Sequence, residues 1–345
     1  YPGRVNRRLV TILAVLFPAL LLVTVALNVK VPYVALGPGP TFDTLGEVDG
    51  KAVVAIEGTD TDPTTGELVM TTVGVSDRLT VAQALAAWLG SRYGIAPREQ
   101  IYPPTATREQ VKEADAAQFE QSERSAELAA LHHLDLPVVL RVARVGESGP
   151  SAGVLREGDR LVSVAGEPVT TAGSVQRAVA AVAPDTPVDI GIVRDGVEQT
   201  VAVTVGARPD DPEKGFLGIS PEEVPDVPFD VTFNLADVGG PSAGLIFSLA
   251  VVDKLSPGEL SGGAVVAGTG TIDSDGAVGP IGGITHKLVA ASEDGATVFL
   301  VPADNCAEAR SAAPDGMRLV EVETLEGAIG ALGSLAGGGD APSCG

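Results

Sequence analysis

Gly239-Gly240-Pro241-Ser242-Ala243-Gly244-Leu245 is the stretch on which the reading of this chain turns. It sets a serine between a strand-like run, Val231-Thr232-Phe233-Asn234-Leu235, and an apolar run over residues 242–254 with the look of a helix. A serine at that junction lies at a helix N-terminus, where the backbone N–H groups of Ser242 and Ala243 and the helix dipole can stabilise an oxyanion. The same pentapeptide, Gly-Pro-Ser-Ala-Gly, also occurs at residues 149–153, and both copies match G-x-S-x-G. The motif alone does not choose between them; the setting does. Ser151 falls in a loop of a small β-rich region with no lysine or histidine in a suitable partner element after it, and reads as a loop residue.

A nucleophilic serine needs a base. Downstream of Ser242 stand His286 and Lys287, side by side. A histidine base in α/β-hydrolase order requires many more elements than this region holds. Lys287 follows Pro280-Ile281-Gly282-Gly283-Ile284 and reads as opening a helix. Lysine serves as a base only when its pKa falls from ~10.4 toward neutrality, which burial and the positive end of a helix both promote. Ile281, Ile284, Leu288 and Val289 are apolar neighbours able to bury it. On the residues alone, a solvated surface lysine remains the ordinary alternative.

Working outward, residues 229–335 alternate strands and helices, an α/β or α+β pattern, and are followed by a Gly-rich tail at 336–345, expected to be loose. Residues 207–228 are acidic and Pro-rich and read as a linker with one short strand. Residues 136–206 form a separate β-rich unit, with hairpins at Ala165-Gly166 and Asp195-Gly196 and a short helix over 174–182. Residues 30–135 hold two alternating runs over 51–75, a helix over 79–89, and a long charged helix from Thr107, with Gln110 completing a capping box, to about Leu131.

Residues 9–29 are 21 residues without a charge, enough to span about 31 Å as a helix. Arg4, Arg7 and Arg8 precede them and Lys30 follows, so the positive-inside rule expects residues 1–8 in the cytoplasm and the rest outside, on a single-pass, uncleaved anchor. A cleaved signal peptide is the competing reading, against which stand the length of the apolar run and the poor cleavage site Ala26-Leu27-Asn28. The chain begins at Tyr1, so a few residues are expected to precede it.

The 345 residues leave room for two or three domains, and 45% hydrophobic residues suffice for a core. A net charge of −22 excludes an ordinary nucleic-acid binder. Two cysteines and three histidines exclude a disulfide framework and leave little for a metal centre. There is no P-loop and no H-E-x-x-H. No metal, no cofactor and no ATP are expected.

Two motifs in order decide the serine's reading. Gly239 to Leu245, then Lys287 45 positions beyond Ser242 within Pro280-Ile281-Gly282-Gly283-Ile284-x-x-Lys287-Leu288-x-Ala290-Ala291, together with Gly276-x-Val278-x-Pro280, resemble the proteolytic domain of Lon proteases. That resemblance implies a Ser–Lys dyad with Ser242 as nucleophile, Lys287 as general base and Thr269, 18 positions before it, as the hydroxyl bonded to the lysine amine. It also implies association into a homo-oligomer. Lon enzymes usually carry an acid where Gly239 stands; here Asp237 lies two residues earlier. Ala152-Gly153-Val154-Leu155 and Gly158-Asp159-Arg160-Leu161 make residues 136–206 resemble a bacterial PDZ domain. The resemblance implies a peptide groove between residues 138–142 and 174–182, with Leu136, Val138, Val139 and Leu140 as binding residues. The preceding loop has Asp135 and Pro137, features unsuited to a free carboxylate.

Anchor, PDZ domain and Lon-type domain without an ATPase together resemble the membrane-anchored PDZ-containing Lon-like proteases of bacteria (YlbL type). The expected fold is α+β: a transmembrane helix, a PDZ-like β-rich domain and a Lon-type α/β proteolytic domain. Residues 52–75 read as opening strands of that last domain, in which case the PDZ unit is inserted into a discontinuous protease. The expected function is ATP-independent serine endopeptidase action on extracytoplasmic polypeptides. A non-catalytic membrane-tethered PDZ adaptor is the alternative, and an α/β-hydrolase esterase a distant third. Outside the membrane, Cys306 and Cys344 either pair or leave Cys344 free.

Overall fold

The computed structural model describes residues 7–90, 92–236 and 238–345. Asp237, and the part of the expected cytoplasmic stretch that includes Arg4, lie outside the described residues. The first element is a helix, Arg7–Asn28, with Pro18 inside it. Its Val10–Asn28 portion is 19 residues long, apolar and unburied, enough to cross a membrane. An anchor and a secretory signal share that length and composition.

The chain divides into two compact units, Tyr1–Ala129 with Val231–Gly345, and Ala130–Asp230. In the first, six strands form one sheet in the order Arg318–Val322, Val298–Pro302, Val265–Gly268, Glu67–Ser76, Tyr33–Asp43, Gly94–Pro97. The first four are mutually parallel, and Tyr33–Asp43 runs antiparallel to both its neighbours. Two strands from before residue 77 thus share a sheet with three from after residue 264.

Alternation along these strands builds the core on two faces. Val69, Ala267, Phe299 and Val301 pack with Ile284, Leu288 and Ala291 of the helix Ile284–Glu293. The opposite face carries Met70, Gly268 and Leu300 in one register row, and the missing Cβ of Gly268 is where Ile246 Cδ1 would stand only 2.7 Å away. Ile246 belongs to the helix Gly244–Leu255, whose residues from Gly244 to Asp253 are all buried, as expected of a helix apolar all round. The sheet therefore lies between the helix that follows Ser242 and the helix that carries Lys287.

The long helix, Arg108–His133, opens with the capping box read from the sequence: Gln110 N donates to Thr107 Oγ1 at 3.2 Å and Thr107 N to Gln110 Oε1 at 2.8 Å. It carries the chain to Ala130, where the second unit begins.

That second unit is a sheet in the order Val197–Thr204, Pro187–Arg194, Arg160–Val164, Val138–Val145, Ile219–Pro225, with the helix Ala172–Ala180. Its core is aliphatic, centred on Leu140, Leu161, Val164, Ile190 and Ile192. Both expected hairpins are present, with positive φ at Ala165, Gly166, Asp195 and Gly196. The linker expected over 207–228 is corrected: Ile219–Pro225 pairs antiparallel with Val138–Val145 along its whole length. Pro221 and Pro225 are tolerated because this is an edge strand, and the register shifts between Ser220 and Pro221.

The loose tail is a second correction. Cys344 is bonded to Cys306, Glu321 N donates to Pro342 O, and Ser343 bridges Val320 on the edge strand Arg318–Val322. Closing a loop across a separation of 38 residues contributes at most about 4 kcal/mol. Cys344→Ser is expected to lower the thermal unfolding midpoint, and reductant to lower the wild type to the same value without moving the variant. A wild-type midpoint insensitive to reductant would show that the bond does not form.

Candidate active site

Ser242 and Lys287 approach from opposite faces of the sheet and meet just past Gly268, where the parallel strand Val265–Gly268 ends. Gly240 turns the chain at φ +85 ahead of the serine. Its N–H donates to Asp115 O at 2.9 Å, and Ser122 Oγ donates to Pro241 O at 3.0 Å, so the long helix braces the serine loop from behind. The brace needs small residues in the loop. A Cβ on Gly239 would come within 2.8 Å of Asp115 Cβ, and one on Gly244 within 3.1 Å of Ser122 Oγ. Ala243 takes the N-cap position of Gly244–Leu255, so Ser242 stands where helical N–H groups lack intrahelical acceptors.

The helix of Lys287 begins three residues before it, at Ile284, so the lysine sits within the first turns and does not open the helix. Its side chain is only 2% exposed. Nζ lies 2.8 Å from Ser242 Oγ, 2.9 Å from Thr269 Oγ1 and 2.8 Å from Thr71 O. Thr269 Oγ1 in turn donates to Ser242 O at 3.0 Å. Burial lowers the Lys287 pKa to about 7, and among the described residues no carboxylate offsets it. Such an amine exists largely neutral slightly above neutral pH.

The partners fix what each atom does. Thr71 O can only accept, and the Thr269 hydroxyl proton is committed to Ser242 O, so both receive N–H bonds from Nζ. A neutral amine has two such protons. Its lone pair is then left facing Ser242 Oγ, the geometry a general base requires. His286 is turned away from this group and packs against Gly94.

A cleft of about 730 Å³ opens in front of the pair. Its walls include Phe42, Met70, Phe119, Val238, Pro280 and Ile281. Phe119 is held edge-to-face on Phe247, with ring centroids 5.7 Å apart. Thr71 and Ser122 escape the sequence reading. One acts through its backbone carbonyl and the other from a helix 120 positions before the serine, and neither carries a motif. The only signal available for Ser122 was a small polar residue on an otherwise charged helix.

In the second unit the peptide-binding residues read from the sequence are corrected. Val138, Val139 and Leu140 are paired with Pro225, Val224 and Glu223, and their strand joins Arg160–Val164 on its other side at Arg141, so the edge a peptide would need there is already taken by Ile219–Pro225. Leu136, just ahead of it, donates its N–H to Leu131 O. A groove is present instead between the helix Ala172–Ala180 and the edge strand Ile219–Pro225. It is lined by Val175, Gln176, Val179, Phe216, Ile219 and Pro221. The loop ahead of that strand is Gly215-Phe216-Leu217-Gly218, and Ser151 holds it: the buried Ser151 Oγ donates to Leu217 O at 2.7 Å.

Residues 115–205 match the family model of the PDZ domain, and residues 236–330 that of the Lon protease (S16) C-terminal proteolytic domain. Among curated proteins, similarity is found to probable periplasmic serine endoproteases, DegP-like, of Pseudomonas fulva (37% identity over 86 residues, 25% of this chain and 18% of the relative) and of Halomonas elongata (32% over 102 residues, 29% and 21%). The chain spans about a fifth of the length of these relatives. Among solved structures, the PDZ domain of the SdrC-like protein Lin2157 of Listeria innocua is similar over 24% of this chain and 92% of that one (18% identity, TM-score 0.22). GtR34C of Geobacillus thermodenitrificans is similar over 23% and 92% (25% identity, TM-score 0.21). The chain thus joins a PDZ domain to a Lon-type proteolytic domain behind an apolar helix, which fits the PDZ-containing Lon-like proteases of the YlbL type.

Proposed function

We propose, from the premise of a PDZ-containing Lon-like protease, that this chain is a membrane-anchored, ATP-independent serine endopeptidase working through Ser242 and Lys287. The observation that carries the reading is the buried Nζ of Lys287, 2.8 Å from Ser242 Oγ with its other bonds committed elsewhere. The amine takes the Ser242 hydroxyl proton as Oγ attacks the scissile carbonyl carbon. The oxyanion is stabilised by N–H groups at the start of Gly244–Leu255, those of Ser242 and Ala243. The resulting ammonium gives its proton to the leaving amine, and the peptide C–N bond breaks. Water then attacks the acyl-enzyme ester, Nζ takes the water proton and returns it to Oγ, and the serine is regenerated. Thr269 keeps the amine aimed at Oγ.

The apolar cleft favours extended segments of unfolded polypeptide over folded surfaces. The PDZ groove offers an edge strand for peptide addition. Residues 30–129 and 231–335 form one proteolytic domain into which the PDZ unit is inserted, and residues 1–345 hold no P-loop with which to drive substrate delivery. The arginine flank of the apolar helix sets the proteolytic unit on the outer side of the membrane.

Purified full-length protein in detergent is expected to cleave an unfolded protein such as casein equally well with and without ATP. Protease added to intact protoplasts is expected to remove everything beyond the span. Strict ATP dependence would overturn the motor-free reading, full protection in protoplasts the orientation. Peptide binding without cleavage would favour the adaptor.

A further inference from the structure

The short helix Val81–Leu89 contains no charged residue. Its inner side is closed by Ala84 and Ala87, packed in a small cluster with Leu79 and Ala35. Its outer side exposes Val81, Leu85, Trp88 and Leu89 at 36%, 51%, 66% and 71%. The spacing i, i+4, i+7, i+8 gathers them into a single stripe. A contiguous apolar stripe of this kind marks a surface that something covers.

Chain geometry says what lies beside it. The apolar N-terminal helix ends at Asn28, and the chain then pairs antiparallel with the residues that open the short helix. Val31 N donates to Leu79 O at 2.9 Å, Val81 N donates to Val29 O at 3.1 Å, and Lys30 bridges Thr80. Val81 therefore stands next to Val29, at the level where the span ends. Because the pairing is antiparallel, the short helix leaves that point heading back toward the span. Trp88, and Tyr33 three residues past Lys30, are exposed aromatic side chains with polar tips, suited to the headgroup level of a bilayer. Lys30 and Arg78 are exposed cations at the same bridge, within reach of lipid phosphates. In a chain of net charge −22, this helix carries no carboxylate to oppose that approach.

We propose that Val81, Leu85, Trp88 and Leu89 insert into the headgroup–acyl boundary of the membrane that the N-terminal helix crosses, giving the proteolytic unit a second membrane contact. The proposal rests on the reading of Val10–Asn28 as a retained span. Two points of attachment stop the unit from swivelling freely about residues 29–32, so the active-site cleft keeps one orientation to the bilayer.

Trp88 is the single tryptophan of the chain, so its fluorescence reports on this stripe alone. The full chain is reconstituted into phosphatidylcholine–phosphatidylglycerol vesicles, with lipids brominated either near the glycerol end or near the methyl end of the acyl chain. Flotation on a density gradient, after an alkaline wash, reads the span independently. Expected are a blue-shifted Trp88 emission and quenching that is stronger from the shallow bromines. In the doubly substituted Leu85→Glu, Leu89→Glu protein, both are lost while flotation and the thermal midpoint are kept. Equal quenching of both proteins by aqueous iodide, with no effect of bromolipid, would overturn the proposal. So would shielding from iodide that bromolipid does not reach and that disappears as protein is diluted in lipid, which would assign the stripe to a second copy of the chain. Failure to float would remove the span itself, and with it the proposal.

Discussion

Ser242→Ala is expected to lower peptide hydrolysis by about 10⁴-fold or more, because it removes the hydroxyl that serves as nucleophile in the proposed mechanism. The fold should be retained. Ser242 Oγ bonds to Lys287 Nζ, whereas the loop is held through the backbone carbonyls of Pro241 and Ser242 and the N–H of Gly240, all of which alanine keeps. The sharp comparison is Ser151→Ala, in an identical pentapeptide. Ser151 is fully buried and its hydroxyl donates to Leu217 O, so the substitution leaves a buried carbonyl without that partner. It should cost the second unit about 1–3 kcal/mol of stability and leave turnover of a short peptide near wild type. Rates on a short fluorogenic peptide and thermal melts of both variants provide the check. If Ser151→Ala abolishes hydrolysis and Ser242→Ala does not, the Lon-like assignment fails and the site lies in the small unit.

The two serines also show what is legible in a sequence. The serine and lysine loops can be read because the requirements are local: small residues around a turn, a helix start, an apolar stretch around one lysine. The burial that separates Lys287 from an ordinary surface charge and lowers its pKa is not local. It comes from strand Glu67–Ser76, some 200 positions away, which supplies Thr71 O. The parallel sheet likewise joins strands from both ends of the chain, and only the alternating pattern over 51–75 hinted at it. The PDZ groove failed in the reading for a related reason. Its edge strand, Ile219–Pro225, holds two prolines and two glutamates and so reads as solvated linker. Its partner, Val138–Val145, lies some 80 positions earlier, and pairing at that separation leaves no periodic signature. The brace from Asp115 and Ser122 is hidden in the same way.

The pH profile should carry the signature of Lys287. Burial holds its pKa at about 7, and in the proposed mechanism the neutral amine is the base. Activity is therefore expected to rise about tenfold per pH unit below that value and to level off above it. Lys287→Met should be inactive at every pH, and Lys287→Arg equally so, because a guanidinium keeps the charge without becoming a base. The same group leaves a mark on stability. Unfolded, the lysine holds its proton up to its ordinary value of 10.5; folded, it releases it near 7. Between those values the unfolded chain binds the extra proton, so this residue makes stability rise with pH across that window, with no such contribution below about 7, where both states are charged. Lys287→Met should lack that component of the pH dependence while remaining folded. The measurements are kcat/KM against pH for wild type, and denaturant midpoints against pH for wild type and Lys287→Met. A substantially active Lys287→Arg, or a wild-type rate flat through neutrality, would show that Lys287 is not the base and that the proton of Ser242 leaves by another route.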